Sequence, residues 1–305
     1  VRLPVSVAGK RVVLRADVGA ESRVLVDGRE AGGRDWAHTE IVLAERAVPG
    51  RIYKVLVEAY AGHGQMTGHA GPVPEGGNAA APMAWGVVMP DPPFAPPRLG
   101  YGSFGVWEED AWQLWLDVET MLQLRDHIDA NSLRVAEIDE ALRQFTVELD
   151  LELPHAAMLD SICAARRRLQ PLLRCRNGST SPQLFCFGHS HIDIAWLWPL
   201  AETERKCART FATQIELMKQ YPEYRFLQSQ PHLYRMTRRL YPELYARIRK
   251  AARAGQWIAE GAMWVEADTN ISSGESLIRQ CLHGKRFFKE EFGVESRLLW
   301  LPDVF

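Results

Sequence analysis

From Leu184 onward, short apolar runs alternate with long amphipathic stretches, and this rhythm constrains the fold more than any other feature of the sequence. Leu184-Phe185-Cys186-Phe187 is a solid apolar run of the kind expected of a strand buried on both faces. Apolar periodicity then predicts a helix over 202–221, a strand at Arg225–Gln228, a helix over 233–254 and a strand at Trp257–Glu260. A helix over 273–292 and a fourth strand at Ser296–Leu301 follow. Strands that alternate with helices imply parallel βαβ units, in a barrel or a doubly wound sheet. The fourth strand falls only a few residues before Phe305, so a closed barrel is not completed, and the chain reads as the amino-terminal part of something larger.

The first 70 residues have a different character. Arg11–Arg15, Arg23–Val26, Ile41–Leu43 and Tyr53–Tyr60 read as short strands, with Asp27-Gly28 a strong hairpin turn. Such strands between turn signals predict a sandwich of the jelly-roll kind. Trp36 and His38 read as loop or core packing, with a sugar-binding surface as the alternative. Residues 71–102 are rich in Gly and Pro and read as a linker. Helices are expected over 107–127, 131–147 and 154–169, with Trp112, Trp115, Leu116, Val118 and Leu122 as a core stripe and Asn131 or Ser132 as a cap. The fold class is therefore α/β: a β-sandwich-like domain at 1–70, a linker and helical segment at 71–182, and the first part of a parallel (β/α) barrel-like domain at 183–305.

Composition excludes several functions. With 36 Lys+Arg against 38 Asp+Glu the net charge is −2, and no sustained basic face suggests nucleic-acid binding. The clusters Arg166–Arg168 and Arg238-Arg239 read as solvated helix faces. No apolar run approaches the roughly 18 residues of a membrane span, and the first residues alternate where a secretory signal would be solidly apolar. The five cysteines form an odd, scattered set, which fits a reducing cytoplasm better than a disulfide framework.

In parallel α/β folds, ligands bind at the carboxyl ends of the strands. After the first expected strand comes Gly188-His189-Ser190-His191-Ile192-Asp193, a dense set of imidazole and carboxylate groups. A borderline divalent metal such as zinc accepts such N and O donors together. In extended chain, His189, His191 and Asp193 project to one side, although three ligands from one strand end would crowd a single ion. The alternative is a His-rich loop that bonds its own backbone. His-x-His after a barrel strand also occurs in metal-dependent amidohydrolases. Asp303, directly after Leu299-Trp300-Leu301-Pro302, could close the site with a carboxylate or cap the next helix.

These residues carry a resemblance. The run from Phe187 to Phe305 resembles glycoside hydrolase family 38, the α-mannosidases, and above all their cytosolic and bacterial branch. The matching stretches are Gly188–Leu200, Lys206–Phe211, Tyr221–Tyr224, Met263–Asn270, Ser273–Leu277, Glu290–Val294 and Trp300–Phe305. The resemblance implies that His191 and Asp193 are metal ligands and that His189 orients its neighbours. It implies that Asp303 is both nucleophile and ligand, and that Trp196 and Phe305 line the sugar subsite. Asp268 falls at an acidic position that would only support the site. A fourth ligand, a histidine, and an acid/base aspartate are implied well beyond residue 305.

The activity so implied is a retaining α-mannosidase acting on terminal α-mannosides of oligosaccharides. It would use a divalent metal, Zn2+ before Co2+ or Mn2+, in the cytoplasm, incompletely in this chain alone and with homo-oligomerisation left open. An amidohydrolase-like enzyme built on His189 and His191, or an inactive carbohydrate-binding remnant, are the alternatives.

Overall fold

A computed structural model of the chain describes residues 1–35, 38–60, 66–67, 71–72, 99–176, 178–196 and 198–303. The fold is a mixed α/β arrangement of small sheets and helices. Two compact units emerge: residues 1–105 with 185–305, and residues 106–184.

In the larger unit the β-rich residues form two three-stranded sheets. Strands β1 (Val12–Ala16), β2 (Ser22–Val26), β3 (Arg29–Arg34), β4 (Glu40–Ala44) and β5 (Val55–Ala59) are followed by the short pair β6 (Met66–Thr67) and β7 (Gly71–Pro72), and then by β8 (Gly102–Val106). One sheet has the order β4-β1-β8 and the other β3-β2-β5. The β2–β3 hairpin turns at Asp27-Gly28, where both residues take positive φ (51° and 81°), as a tight two-residue turn requires. The Gly/Pro-rich stretch lies mostly outside the described residues.

The smaller unit carries α1 (Glu109–His127), α2 (Leu133–Glu148) and α3 (His155–Leu173). Ser132 caps α2 by accepting from Val135 N at 3.3 Å. Its core is Leu114, Met121, Ile138, Ile162, Ala165 and Leu169. The expected stripe is partly displaced: Trp115 and Leu122 are exposed, while Leu114 and Met121 face inward. Trp112 stacks instead on Trp115, with ring centroids 4.9 Å apart.

The remaining elements of the larger unit are β9 (Gly188–His189), α4 (Leu200–Gln220), β10 (Phe226–Gln228), α5 (Pro231–Leu240), α6 (Pro242–Arg253), β11 (Trp257–Ala259) and α7 (Gly274–Phe292). β9, β10 and β11 pair in parallel in the order β11-β10-β9, with Leu227 opposite both His189 and Ile258. An aromatic core of Phe211, Tyr234, Trp257, Phe287 and Phe288 packs this sheet against its helices. α4 also packs on β3 and β2, which ties the β-rich residues to the βα residues.

Three expectations change here. Leu184 and Phe185 do not form a buried strand but are 87% and 85% exposed, because the parallel ladder starts only where Gly188 N donates to Arg225 O at 2.8 Å. The helix expected over 233–254 is two helices, because Pro242 removes a backbone donor and restricts Tyr241. Residues 296–301 form no strand: Glu260 Oε1 accepts from Ser296 Oγ (2.5 Å), Arg297 N (2.9 Å) and Leu298 N (3.1 Å), so a side chain replaces the ladder.

Helix α7 is pressed onto the loop after β11. A Cβ on Gly284 would stand 2.6 Å from Met263 C and nearer still to Ala262 O, both of them backbone atoms that cannot swing aside. Gly284→Ala is expected to lower unfolding stability by about 1–3 kcal/mol, the usual cost of overpacking. Urea denaturation checks this, and an unchanged midpoint would mean that the contact is loose.

Candidate metal centre

Three loops meet at the carboxyl ends of β9, β10 and β11, and buried amides brace them. Gln228 Nε2 donates to Ser190 O (3.2 Å) and Gln230 Nε2 to Ile192 O (2.9 Å). Gln230 Oε1 accepts from Glu266 N at 3.3 Å. Gln228 and Gln230 are 0% and 2% exposed, so these bonds form away from water, where an unmade one is costly.

After β9 the chain turns sharply. Ala195 takes φ 65°, a left-handed conformation that costs a non-glycine residue roughly 1–2 kcal/mol. Thr203 holds the turn, since its Oγ1 accepts from Ala195 N and donates to Asp193 O, both at 3.1 Å. The turn leaves Asp193 beside His191 and puts Trp196, 44% exposed, on the wall of the same cavity. Ser296–Leu298, held on Glu260, and Trp300, edge-on to His189 with centroids 5.1 Å apart, lead into Asp303.

His191, Asp193 and Asp303 converge, with one ligand atom of each lying within 4.8 Å of the others. His191 Nε2 stands 3.1 Å from Asp193 Oδ1 and 3.4 Å from Asp303 Oδ2. Glu266, 2% exposed at its side chain, binds the opposite ring nitrogen, Nδ1. Ser229 Oγ in turn donates to Glu266. With Nδ1 committed to a carboxylate, Nε2 is the atom that faces the two aspartates. A neutral imidazole with two carboxylates is the donor chemistry of a zinc-type ion, and a carboxylate behind the ligating histidine is its usual support. The residues fit such an ion.

His189 stands apart from this group. Its Nδ1 lies 3.1 Å from Leu227 O, and its buried Nε2 is 3.6 Å from Glu266 Oε1 without a hydrogen bond. Burial pushes its pKa down. Asp268 accepts from Asn270 N at 2.8 Å and so shapes its own turn. Phe305 lies outside the described residues. Glu266, two positions before Asp268, escaped the sequence reading: nothing in spacing distinguishes it from the other acids of that stretch.

Comparison with known proteins bears on the same residues. Residues 181–305 match the family described as glycosyl hydrolases family 38 N-terminal domain. Over these residues the chain is similar to the N-terminal domain of glycosyl hydrolase family 38. The chain is 48% identical over 129 residues to alpha-mannosidase G of Dictyostelium discoideum, covering 42% of this chain and 12% of that protein. Human alpha-mannosidase 2C1 is 35% identical over 208 residues, 68% of this chain and 20% of the relative. Saccharomyces cerevisiae alpha-mannosidase is 45% identical over 123 residues, 40% of this chain and 11% of the relative. The chain thus spans a fifth or less of the length of these relatives. No described helix is long and apolar enough to cross a membrane.

Burial pulls the pKa of His191 down, but its bonds to Asp193 and Glu266 outweigh this and push it up to about 10. A group raised in the folded state stabilises fully below its unfolded value, about 6.5, and loses that contribution as pH climbs through the folded value. The metal-free chain should therefore lose stability between about pH 6.5 and 10. Urea midpoints in chelator across that range check this, with Glu266→Gln expected to flatten the dependence.

Proposed function

We propose that this chain carries the metal-bearing half-site of a retaining α-mannosidase that removes terminal α-mannose from oligosaccharides. The observation that carries the reading is the convergence of Asp193 and Asp303 on His191 Nε2. The names of the relatives agree with it. His191, Asp193 and Asp303 would hold the ion, Zn2+ before Co2+ or Mn2+. When bound, such an ion would supply charge stabilisation and a Lewis-acid partner for sugar hydroxyls, to which the axial 2-hydroxyl of mannose is suited.

The chain's own groups do the rest. Glu266 fixes the imidazole so that Nε2 points at the carboxylates. Asp303, 72% exposed at its side chain, is open to a sugar and attacks the anomeric carbon, forming a covalent glycosyl-enzyme that water later releases with retention. The leaving oxygen takes its proton from a second carboxylate, supplied from outside residues 1–305. Trp196 lays a flat apolar face against the C–H side of the ring, and Phe305 does the same in this reading. The β9–β11 strands are the start of a (β/α) barrel-like catalytic domain, and the β-rich residues form a sandwich-like one. A cytoplasmic setting belongs to the same proposal and is supported by five cysteines that are all free.

Titration calorimetry with Zn2+ tests the ligand set. One tight site is expected in the wild-type chain. His191→Ala, Asp193→Ala and Asp303→Ala should each weaken it beyond the ~10–100-fold typical of outer partners, whereas His189→Ala should stay within that range. Loss on His189→Ala as severe as on His191→Ala would favour an amidohydrolase-like set instead. In a protein of the relatives' full length, Asp303→Asn should abolish hydrolysis of an aryl α-mannoside.

A further inference from the structure

The three donors open into a cavity of about 430 Å3, and the βα residues do not line it alone. Glu21, Asp35 and His38, from the β-rich residues, share its lining with His191, Trp196 and Asp303. That volume is ordinary for a small-molecule pocket, roughly 300–1,000 Å3, and a single pyranose seated against the aspartates would leave part of it unfilled.

The β-rich side of this cavity is built into the unit. Gly33 N donates to Thr213 Oγ1 on α4 at 2.8 Å, and a Cβ on Gly33 would lie 2.7 Å from Arg209 Cβ, so β3 and α4 lie in close backbone contact. Lys206 Nζ donates to Glu21 at 2.5 Å, and Arg209 binds both Glu21 and, at 2.6 Å, the fully buried Glu202. Beyond β3, Asp35 N donates to His38 O (3.0 Å) and His38 N donates to Asp35 Oδ1 (2.7 Å). The Asp35 carboxylate also holds the His38 ring, whose Nδ1 lies 3.0 and 3.1 Å from its two oxygens. Nε2 is then the ring atom left for a hydrogen bond. An imidazole and a carboxylate side by side are ordinary partners for sugar hydroxyls, since between them they donate and accept.

We propose that Asp35 and His38 bind the second sugar of the substrate, the residue to which the terminal mannose is linked, and so make the β-rich part a specificity element of the site. This rests on the α-mannoside reading given above. Under it, the terminal ring sits against Trp196 and the aspartates, while the next ring meets the Asp35–His38 pair. The substrate class is thus an oligosaccharide with at least two sugar units.

Calorimetry of the zinc-loaded chain with mannose and with an α-linked mannobiose tests the proposal. The wild type should bind the disaccharide about tenfold more tightly, the worth of one or two net hydrogen bonds. His38→Ala should remove that preference, and Asp35→Asn, which keeps the shape, should reduce it, with melting curves confirming that both variants fold. Equal affinity for the two sugars in the wild type, or an undiminished preference in His38→Ala, would overturn the second-sugar proposal alone. Absence of any mannoside binding by the wild type would instead overturn the α-mannoside reading beneath it.

Discussion

A buried carboxylate behind an imidazole sets the terms for this site. Glu266 is almost wholly withdrawn from water, and an unpaired charge so placed would cost several kcal/mol. Its partners, His191 Nδ1 and Ser229 Oγ, remove that cost. They also fix which way the ring faces: Nε2 has no choice but to point at Asp193 and Asp303. The pairing costs the fold little only while Nε2 carries a proton or meets a cation, so an ion bound as proposed would displace that proton.

The rest of the larger unit serves that arrangement. Parallel pairing of β9, β10 and β11 brings three loops to one end of a sheet, and buried glutamines lock them together. Left-handed alanines at positions 195 and 262 turn the loops that follow β9 and β11. Such strain at a site persists only where surrounding bonds hold it, and Thr203 does this for the first. On the other side, the Glu21–Lys206–Arg209–Glu202 cluster attaches β-rich residues to the helix that follows the β9 loop.

How much of this was legible in the sequence follows from the physics of each element. Helices α4 and α7 and strands β1, β2, β10 and β11 stood out because apolar periodicity reports local burial directly. The break at Pro242 was equally visible but lost to a strong helical pattern on both sides. The run at 184–187 misled because apolar content does not say whether a neighbour is present to bury it, and Ser296–Leu301 misled because Glu260 took over its backbone donors. His191, Asp193 and Asp303 stood out as candidates from their places after expected strands, the resemblance set His189 apart from them, and the structure brings the three together. Glu266 was not found, since its importance lies in a contact across 75 residues that no spacing encodes.

The most direct test of the account is anomalous diffraction at the zinc edge from crystals of the chain grown with Zn2+. One peak is expected about 2.0–2.2 Å from His191 Nε2 and from carboxylate oxygens of both Asp193 and Asp303, with Glu266 still on Nδ1. A peak on His189, or no peak while the two aspartates still face a bare ring nitrogen, would contradict it.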